Sequence, residues 1–486
     1  MAMKQLALFI LVLALAFSPA THQRELCDPE VICPDQGCSV IYASDGKLAL
    51  GGNNEDYINP LTKVWFIPAE PGSFGGVYFG FDNYSAQGGM NDQGLFFDAL
   101  QLDETVPISM TGKEQATEDL TSKIMSECGT VACAVEMFER YYFVETWNWQ
   151  FFFGDATGES AIIEPTAIIR QRDGYQVATN FRQSVIEKDE IDCWRYLTAT
   201  DMFKKMDTLS IEFMRDVLEA VHVDESTHTL YSNIYDLKNR QVYLYYFHDY
   251  ENVVVIDLEE ELARGYHAYD LPALFPLNSE ADQWASSRLR HYQELIDDRL
   301  AAGIDAEDLQ SYTGDYEMPQ GWAAPGDVLT VTASDDSLLL RFPDYRQYEI
   351  FPESETRFFH IAFSGQDFDY LFDARFELNK KRQVQSLVLE LGSSEVQLVR
   401  IGLGPNVAEV EPPAPPPTTM PTPSFTPRQP TSVPSTESLA AMEEELTPPP
   451  EQVDQPATGW GWLAVPTALL AGATAWLALR KRKPER

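Results

Sequence analysis

The chain has 486 residues, and 35 Lys and Arg against 75 Asp and Glu give it a formal net charge of −40. This acidic composition excludes nucleic acid as a partner, because binding phosphates requires clustered cations. Hydrophobic residues make up 44% of the chain and aromatic residues 12%, which excludes a wholly disordered protein. At about 100 to 200 residues per domain, the length predicts two domains with accessory segments.

The N-terminus is typical of an export signal. Lys4 precedes an apolar run from Leu6 to Phe17, and small residues follow at Ser18 and Ala20. This pattern predicts a signal peptide over residues 1–20, so the mature protein is expected to be exported.

The next part of the chain alternates strand and helix patterns. Strands are predicted at Val40–Tyr42, Leu48–Leu50, Val77–Gly80, Leu95–Leu100, Trp149–Gly154, Ser160–Glu164, Gln176–Thr179, Thr229–Asp236, Val242–Phe247 and Asn252–Asp257. Helices are predicted over Glu118–Tyr142, with an interruption at Gly129 and Thr130, and over Ile211–His222. Strands in hairpin-like sets with helices in separate blocks favour an α+β fold with antiparallel layers.

A helical connector is predicted over residues 276–308, with its helix running from about Asp282 to Leu300. The pattern then becomes all-β over residues 309–403, as in a small barrel or sandwich. The predicted strands are Val328–Val331, Ser337–Phe342, Tyr348–Phe351, Phe368–Phe372 and Leu387–Leu391. This β-rich accessory domain resembles those found behind some secreted hydrolases, and it indicates no chemistry of its own.

The C-terminal part predicts a stalk and an anchor. Residues 404–459 are rich in Pro, Thr, Ser and Glu, a composition typical of an extended stalk. The uncharged run over residues 460–479 is long enough to cross a bilayer as a helix. A basic tail, residues 480–486, follows, so the positive-inside rule places the rest of the chain at the extracellular face. The basic tail argues against a glycan-lipid anchor. Residues 455–459 resemble a sortase signal, and wall anchoring is the alternative.

Familiar catalytic motifs are missing from the sequence. It has no G-x-S-x-G, no G-x-x-x-x-G-K-[ST], no G-x-G-x-x-G and no H-E-x-x-H motif, and its seven His residues are scattered. We therefore expect no metal site and no cofactor, and a nucleophile, if there is one, among the Cys, Ser and Thr residues.

Cysteine carries the clearest signal. The chain has six: Cys27, Cys33, Cys38, Cys128, Cys133 and Cys193. An even number in an exported protein first indicates three disulfides. Cys38 differs from the others, because it follows Gly37 shortly after the predicted signal peptide and opens a strand that leads into the segment Gly52-Asn53-Asn54-Glu55-Asp56.

Three further segments follow in order: G-M-N-D-Q-G-L at 89–95, D-A-T-G-E-S at 155–160 and V-A-T-N at 177–180. With Cys38 and Arg195, these motifs resemble the N-terminal-nucleophile (Ntn) amidohydrolases of the choloylglycine hydrolase and penicillin V acylase group, and the related acyl-coenzyme A:6-aminopenicillanic acid acyltransferases. The resemblance extends to about residue 260. It implies a four-layer αββα sandwich over residues 38–275, preceded by a pro-segment, residues 21–37, that the chain removes itself.

The resemblance also implies the chemistry. Once the Gly37–Cys38 bond is cleaved, Cys38 carries a thiol and a free α-amine, whose ordinary pKa of roughly 7.7 to 8 suits proton transfer near neutrality. One residue then supplies both nucleophile and base. Asp56 is expected to accept a hydrogen bond from the α-amine and orient it. Arg195 is expected to hold Cys38 and Asp56 in position through charge-assisted hydrogen bonds. Asn180 and Gln101 are expected to donate hydrogen bonds to the oxyanion.

Each role has a structural alternative. Asp56 can cap the hairpin, Asn180 can form a turn, and Arg195 can form a surface ion pair with Asp192 or Glu190. Cys27 and Cys33 are expected to leave with the pro-segment. Setting Cys38 aside as the nucleophile leaves five of the six Cys, an odd number, so we expect at least one other, Cys193, to stay unpaired.

Many bile-salt and penicillin V hydrolases have Arg where this chain has Asn53. A small N-acyl amide or a short peptide-like amide is therefore the expected substrate, rather than a bile-acid conjugate. An acyltransferase would use the same acyl-enzyme. Two other functions remain open: a Cys–His hydrolase using His228 or His248, and a non-catalytic surface binding protein. The sequence does not indicate an oligomeric state.

Overall fold

The computed structural model describes residues 37–116, 119–224, 227–301, 304, 306–319, 326–334, 336–364 and 367–402. The predicted signal peptide, stalk, membrane helix and basic tail lie outside these residues, as does the predicted pro-segment except for Gly37. None of the helices in these ranges is both long enough and apolar enough to span a bilayer.

The elements up to residue 275 form the first domain. Its strands are β1 (Ser39–Ser44), β2 (Ala49–Tyr57), β3 (Thr62–Ile67), β4 (Gly76–Phe81), β5 (Ala86–Asn91), β6 (Leu95–Pro107), β7 (Glu114–Gln115), β8 (Tyr141–Tyr142), β9 (Thr146–Asp155), β10 (Ser160–Glu164), β11 (Ala167–Arg170), β12 (Tyr175–Ala178), β13 (His228–Asp236), β14 (Gln241–Tyr246), β15 (Asp249–Asp257) and β16 (His267–Asp270). Its helices are α1 (Leu120–Glu127), α2 (Val131–Arg140), α3 (Trp194–Lys204), α4 (Ile211–Ala220) and α5 (Leu258–Leu262).

Two antiparallel sheets stack face to face in this domain. One has the strand order β12-β1-β2-β13-β14-β15, and the other has the order β11-β10-β9-β6-β5-β4-β3-β16. Their facing sides share one core, which includes Tyr42, Phe79, Phe96, Tyr235 and Leu244. A sheet that is apolar on both faces must also be covered on its outer side.

Helices cover both outer sides. Helices α1 and α2 pack through Ile124 and Val135 on the eight-stranded sheet. Helices α3 and α4 pack on the six-stranded sheet, where Leu218 of α4 and Ile41 of β1 belong to one hydrophobic cluster. The result is the antiparallel α+β layering that the sequence predicts, with helices outside and two sheets inside.

The β1–β2 hairpin positions Cys38. Asp45 accepts hydrogen bonds from the Lys47 and Leu48 backbone N–H groups at 2.8 Å, which closes the predicted turn. The register pairs Ser39 with Asn54. By continuing that register, Cys38 lies opposite Glu55, at the open end of the hairpin.

The structure also contains elements that the sequence did not predict. Strand β5 runs through Gly88 and Gly89, which have low strand propensity. The glycines are needed because a methyl group at Gly89 would lie 2.4 Å from the Val77 backbone oxygen. Strands β3, β11 and β16 and helix α3 were also missed. The predicted interruption at Gly129 and Thr130 is confirmed, because α1 ends before it and Thr130 caps α2 by accepting from the Cys133 backbone N–H.

The second part is a connector and a closed barrel. Helices α6 (Ser279–Arg299) and α7 (Ala306–Leu309) lead to β17 (Gly314–Glu317), β18 (Val328–Ala333), β19 (Leu338–Arg341), β20 (Gln347–Pro352), β21 (Arg357–Ser364), β22 (Asp367–Leu378), β23 (Val384–Leu391) and β24 (Ser394–Gly402). These eight strands close on themselves, so the accessory domain is a barrel rather than a sandwich. Strands β17, β21 and β24 were not predicted.

The barrel packs against the first domain close to the end of β2. The Tyr57 and Phe363 rings lie 5.6 Å apart, edge to face. The Arg341 guanidinium lies 4.1 Å from the centre of the Tyr266 ring. Because Tyr57 directly follows Asp56, these contacts support the strand that carries the predicted site.

Candidate active site

Cys38 is a free, buried thiol just before β1, with 9% of its surface exposed. Burial raises the pKa of this thiol well above its ordinary value, and the carboxyls of Glu55, Asp56 and Asp98 raise it further. A hydrogen bond from the Asp56 backbone opposes the shift. The thiol is therefore held in its neutral form.

Arg195 holds the peptide that the sequence predicts to be cleaved. Its Nη1 donates to the backbone oxygen of Gly37, and also to that of Cys38 at 2.6 Å and to Ser39 Oγ at 3.2 Å. The Arg195 side chain is fully buried. The alternative of a surface ion pair with Asp192 or Glu190 is therefore wrong, because Arg195 points inwards from the first turn of α3.

Asn180 lies beside the same peptide. Its Oδ1 is 3.4 Å from both Nη atoms of Arg195, and its Nδ2 donates to the Gln101 backbone oxygen at 2.9 Å. One N–H of this amide is thus used by Gln101, and the amide has a second N–H that can donate. Gln101 takes part through its backbone, whereas the sequence suggested its side-chain amide.

Gly37 fits closely against Asn180. A methyl group on its Cα would lie 2.4 Å from Asn180 Oδ1, and the residue has φ +134°. Both features require glycine at this position, because L-residues with a Cβ rarely adopt such a backbone.

Asp56 is buried on β2, with Oδ2 4.0 Å from Arg195 Nη1 and Oδ1 accepting from Thr229 Oγ1. Burial raises the pKa of Asp56 to about 7, although Arg195 and Thr229 act in the opposite direction. Asp45, not Asp56, caps the hairpin turn. The alternative role for Asp56 is therefore wrong.

The sequence missed two carboxyls beside the nucleophile. Glu55 is 4% exposed and lies between Cys38 and Tyr231, because β2 pairs Glu55 with Tyr231 of β13. Burial and Asp56 raise the pKa of Glu55 to about 8, while Cys38 and Tyr231 lower it. Asp98 on β6 is fully buried, and burial together with Glu55 raises its pKa well above the ordinary value. A lone Asp within the apolar run Leu95–Leu100 was the available signal.

The two histidines of the alternative mechanism lie together and contact each other. His228 and His248 stack with their rings 6.0 Å apart, and His228 also contacts Trp284 and Phe247. Burial lowers the pKa of both. The groups that shift the Cys38 pKa are carboxyls and a backbone N–H, so the structure does not support a Cys38–His pair.

The other cysteines are disulfide-bonded within the described part of the chain. Cys128 and Cys133 form a disulfide that joins the end of α1 to the start of α2. Cys193, just before α3, is also disulfide-bonded, and its partner lies outside the described residues. The expectation that Cys193 stays unpaired is wrong, because sequence spacing does not determine disulfide pairing.

Comparisons with known proteins give limited similarity. Residues 298–400 match a family model described as a domain of unknown function (DUF3471), which covers the barrel. No curated protein sequence matches the chain. Among solved structures, penicillin V acylase from Agrobacterium tumefaciens is similar over 48% of this chain and 91% of its own, with 19% identity and a TM-score of 0.39. A variant of conjugated bile acid hydrolase from Clostridium perfringens is similar over 50% of this chain and 99% of its own, with 16% identity and a TM-score of 0.41.

Proposed function

We propose that the chain is a self-processing amidohydrolase that cleaves a linear carbon–nitrogen bond of an N-acyl compound through Cys38. The observation that carries this proposal is the Gly37–Cys38 peptide, whose carbonyl accepts from buried Arg195 directly beside a free thiol. A hydrogen-bonded carbonyl next to a nucleophile is the geometry that an acyl shift requires.

Processing begins when the Cys38 sulfur attacks the Gly37 carbonyl carbon. The carbonyl oxygen becomes an oxyanion that the Arg195 guanidinium stabilises, and the thiol proton passes to the Cys38 nitrogen. The C–N bond then breaks to leave a thioester and the free α-amine of Cys38. Water hydrolyses the thioester and leaves a carboxylate at Gly37, which frees the C-terminal end of the pro-segment. The thiol is regenerated, so the balance of atoms needs only water.

The same groups then act on a substrate. The α-amine takes the thiol proton, sulfur attacks the amide carbonyl, and the proton passes to the leaving amine. Water releases the acyl group from the thioester. Asp56 lies near Arg195 with Oδ2 free of hydrogen bonds among the described atoms, so this oxygen is suited to accept from the new α-ammonium.

The first test is intact mass and N-terminal sequencing of the purified protein, with wild type beside Cys38→Ala. We expect the wild type to begin at Cys38 and the variant to retain the segment before it. The processed wild type is then assayed against a panel of N-acyl amides. If both proteins begin near residue 21, the free α-amine never forms and the proposal is refuted.

We further propose that the enzyme works at the extracellular face of the cell membrane or in the cell wall. The sequences of residues 1–20 and 460–486 support this location. Cell fractionation with protease added to intact cells tests it, since a surface-tethered enzyme would be digested while cytosolic markers survive.

A further inference from the structure

Five buried polar side chains lie close to Cys38 on the facing sides of the two sheets. We name this set the acceptor cluster, and its members are Asn53, Glu55, Asp98, Tyr231 and Asn233. Each is at most 4% exposed. None of them has a role in the self-processing steps above.

The strand register puts four members on one face. Strand β2 pairs Glu55 with Tyr231 and Asn53 with Asn233, so two rows of side chains lie side by side across β2 and β13. Residues 53 and 55 alternate with position 54, whose side chain turns to the helical layer and donates to the Leu218 oxygen at 2.9 Å. The cluster therefore faces the other sheet.

Asp98 completes the cluster from the opposite sheet. Phe96 and Leu100 lie two positions before and after Asp98 on β6, and both belong to the core between the sheets. Because residues two apart on a strand share a face, Asp98 points into the same layer. The adjacent strand has Gly88 at this place, where a methyl group would lie 2.5 Å from Asp98 Oδ2. The small residue makes room for the carboxyl.

The cluster contains unpaired acceptor atoms. Among the described atoms, Asn53 Oδ1, Glu55 Oε2, both carboxyl oxygens of Asp98 and Asn233 Oδ1 have no hydrogen-bond partner. Buried polar atoms are nearly always paired. These five oxygens can accept from a donor, and once a carboxyl is ionised its oxygens can only accept.

A group that offers several N–H donors and a positive charge matches this set. An ammonium offers three donors and a guanidinium five. The net charge of −40 also favours the approach of cations over anions. Burial and neighbouring carboxyls raise the pKa values of Glu55 and Asp98, and no Lys, Arg or His side chain of the described residues is among the groups that shift them.

We propose that the acceptor cluster binds an ammonium or guanidinium group of the substrate, so that cationic N-acyl amides are the preferred substrate class. This inference rests on the proposed function for its link to catalysis, and it can be tested by binding alone. Because the carboxyls hold protons in the absence of a cation, binding is expected to release protons and to strengthen as pH rises towards 8.

The binding test uses processed wild type with butylammonium, butylguanidinium and, as the neutral match, butanol. Isothermal titration in buffers of different ionisation enthalpy reports both affinity and proton release. We expect the two cations to bind at least about tenfold more tightly than butanol, and Asp98→Asn to lose about tenfold of this affinity, as for a hydrogen bond to a charged group. Asp82→Asn is the control, since Asp82 is a carboxyl with a raised pKa that accepts from Asn59 outside the cluster.

Equal binding of butanol and butylammonium would overturn the proposal, as would unchanged cation affinity in Asp98→Asn. If Asp98→Asn does not fold, Glu55→Gln and proton release by wild type decide the question. The activity assay separates the two proposals. Amide cleavage without preference for a terminal ammonium over a methyl group refutes the acceptor cluster alone, whereas Asp98-dependent cation binding without any amide cleavage refutes the proposed function alone.

Discussion

Gly37→Ala tests the fit of the cleaved peptide directly. The added methyl group would lie 2.4 Å from Asn180 Oδ1 and 2.6 Å from Asn180 Cγ, distances that nonbonded atoms do not tolerate. Overpacking of this kind costs about 1 to 3 kcal/mol, and a non-glycine residue at positive φ costs about 1 to 2 kcal/mol more. The strain of about 2 to 5 kcal/mol is relieved when the residue moves, and movement takes its carbonyl away from Arg195.

The expected effect is slower self-processing. If the strain falls fully on the transition state, the rate drops roughly 30-fold to a few thousand-fold. Intact mass spectrometry of samples taken over time after purification measures the fraction that begins at Cys38. Gly46→Ala is the matched control, because Gly46 also has positive φ, at +85°, but has nothing within 4 Å of the added methyl. Processing of Gly37→Ala at the rate of Gly46→Ala would show that the peptide is not held as described.

Three further predictions follow from other contacts. Arg195→Lys keeps the charge but loses the forked geometry that reaches two backbone oxygens and Asn180. We therefore expect self-processing, followed by mass spectrometry, to slow at least about tenfold. Processing at the wild-type rate would contradict this role of Arg195. In the folded state the pKa of Glu55 is raised to about 8 and that of Asp56 to about 7, so both carboxyls hold protons more tightly when the protein is folded than when it is unfolded. Their contribution to folding stability is fully present below about pH 4 and is lost progressively as pH rises from there through 7 and 8. Urea unfolding from pH 5 to 8 should therefore show decreasing stability, and Glu55→Gln should reduce the slope by up to ~1.4 kcal/mol per pH unit; an unchanged slope would place the protons elsewhere. Replacing Cys128 and Cys133 together by Ala should cost about 2 kcal/mol in unfolding free energy by the chain-entropy model, and processing should be unaffected because that disulfide joins two helices outside the site.

Local sequence patterns predicted those elements of the first domain in which turn or capping residues separate apolar runs. The β1–β2 hairpin was predictable because an Asp-Gly turn separates two apolar runs. The α1–α2 break was predictable because Gly129 and Thr130 interrupt an amphipathic helix. Strand β5 was not, because its glycines are set by the close approach of neighbouring strands, and nothing in a single sequence reports that distance.

The candidate site divides in the same way. Cys38, Asp56, Asn180 and Arg195 could be proposed because their motifs resemble those of a known family, and the structure brings them together around Arg195. Glu55 was inside a quoted motif but received no role, since only the register with Tyr231 shows which way it faces. Asp98 comes from the other sheet, and its position next to Glu55 depends on how the two sheets stack. Pairing across layers is tertiary information that periodicity within one strand does not contain.

The charges around Cys38 give processing a consequence beyond exposing the amine. Three buried carboxyls raise the thiol pKa, and Arg195 is the cation that acts on Asp56. Its guanidinium is shared with backbone oxygens and Asn180, so it compensates these carboxyls only in part. If the Gly37–Cys38 bond is cleaved as proposed, an α-ammonium is added beside the thiol, and a positive charge at that position favours the thiolate. The first attack, on Gly37, would then start from the neutral thiol and pass its proton to the leaving nitrogen, whereas later attacks on a substrate would start from a site in which the thiolate is favoured.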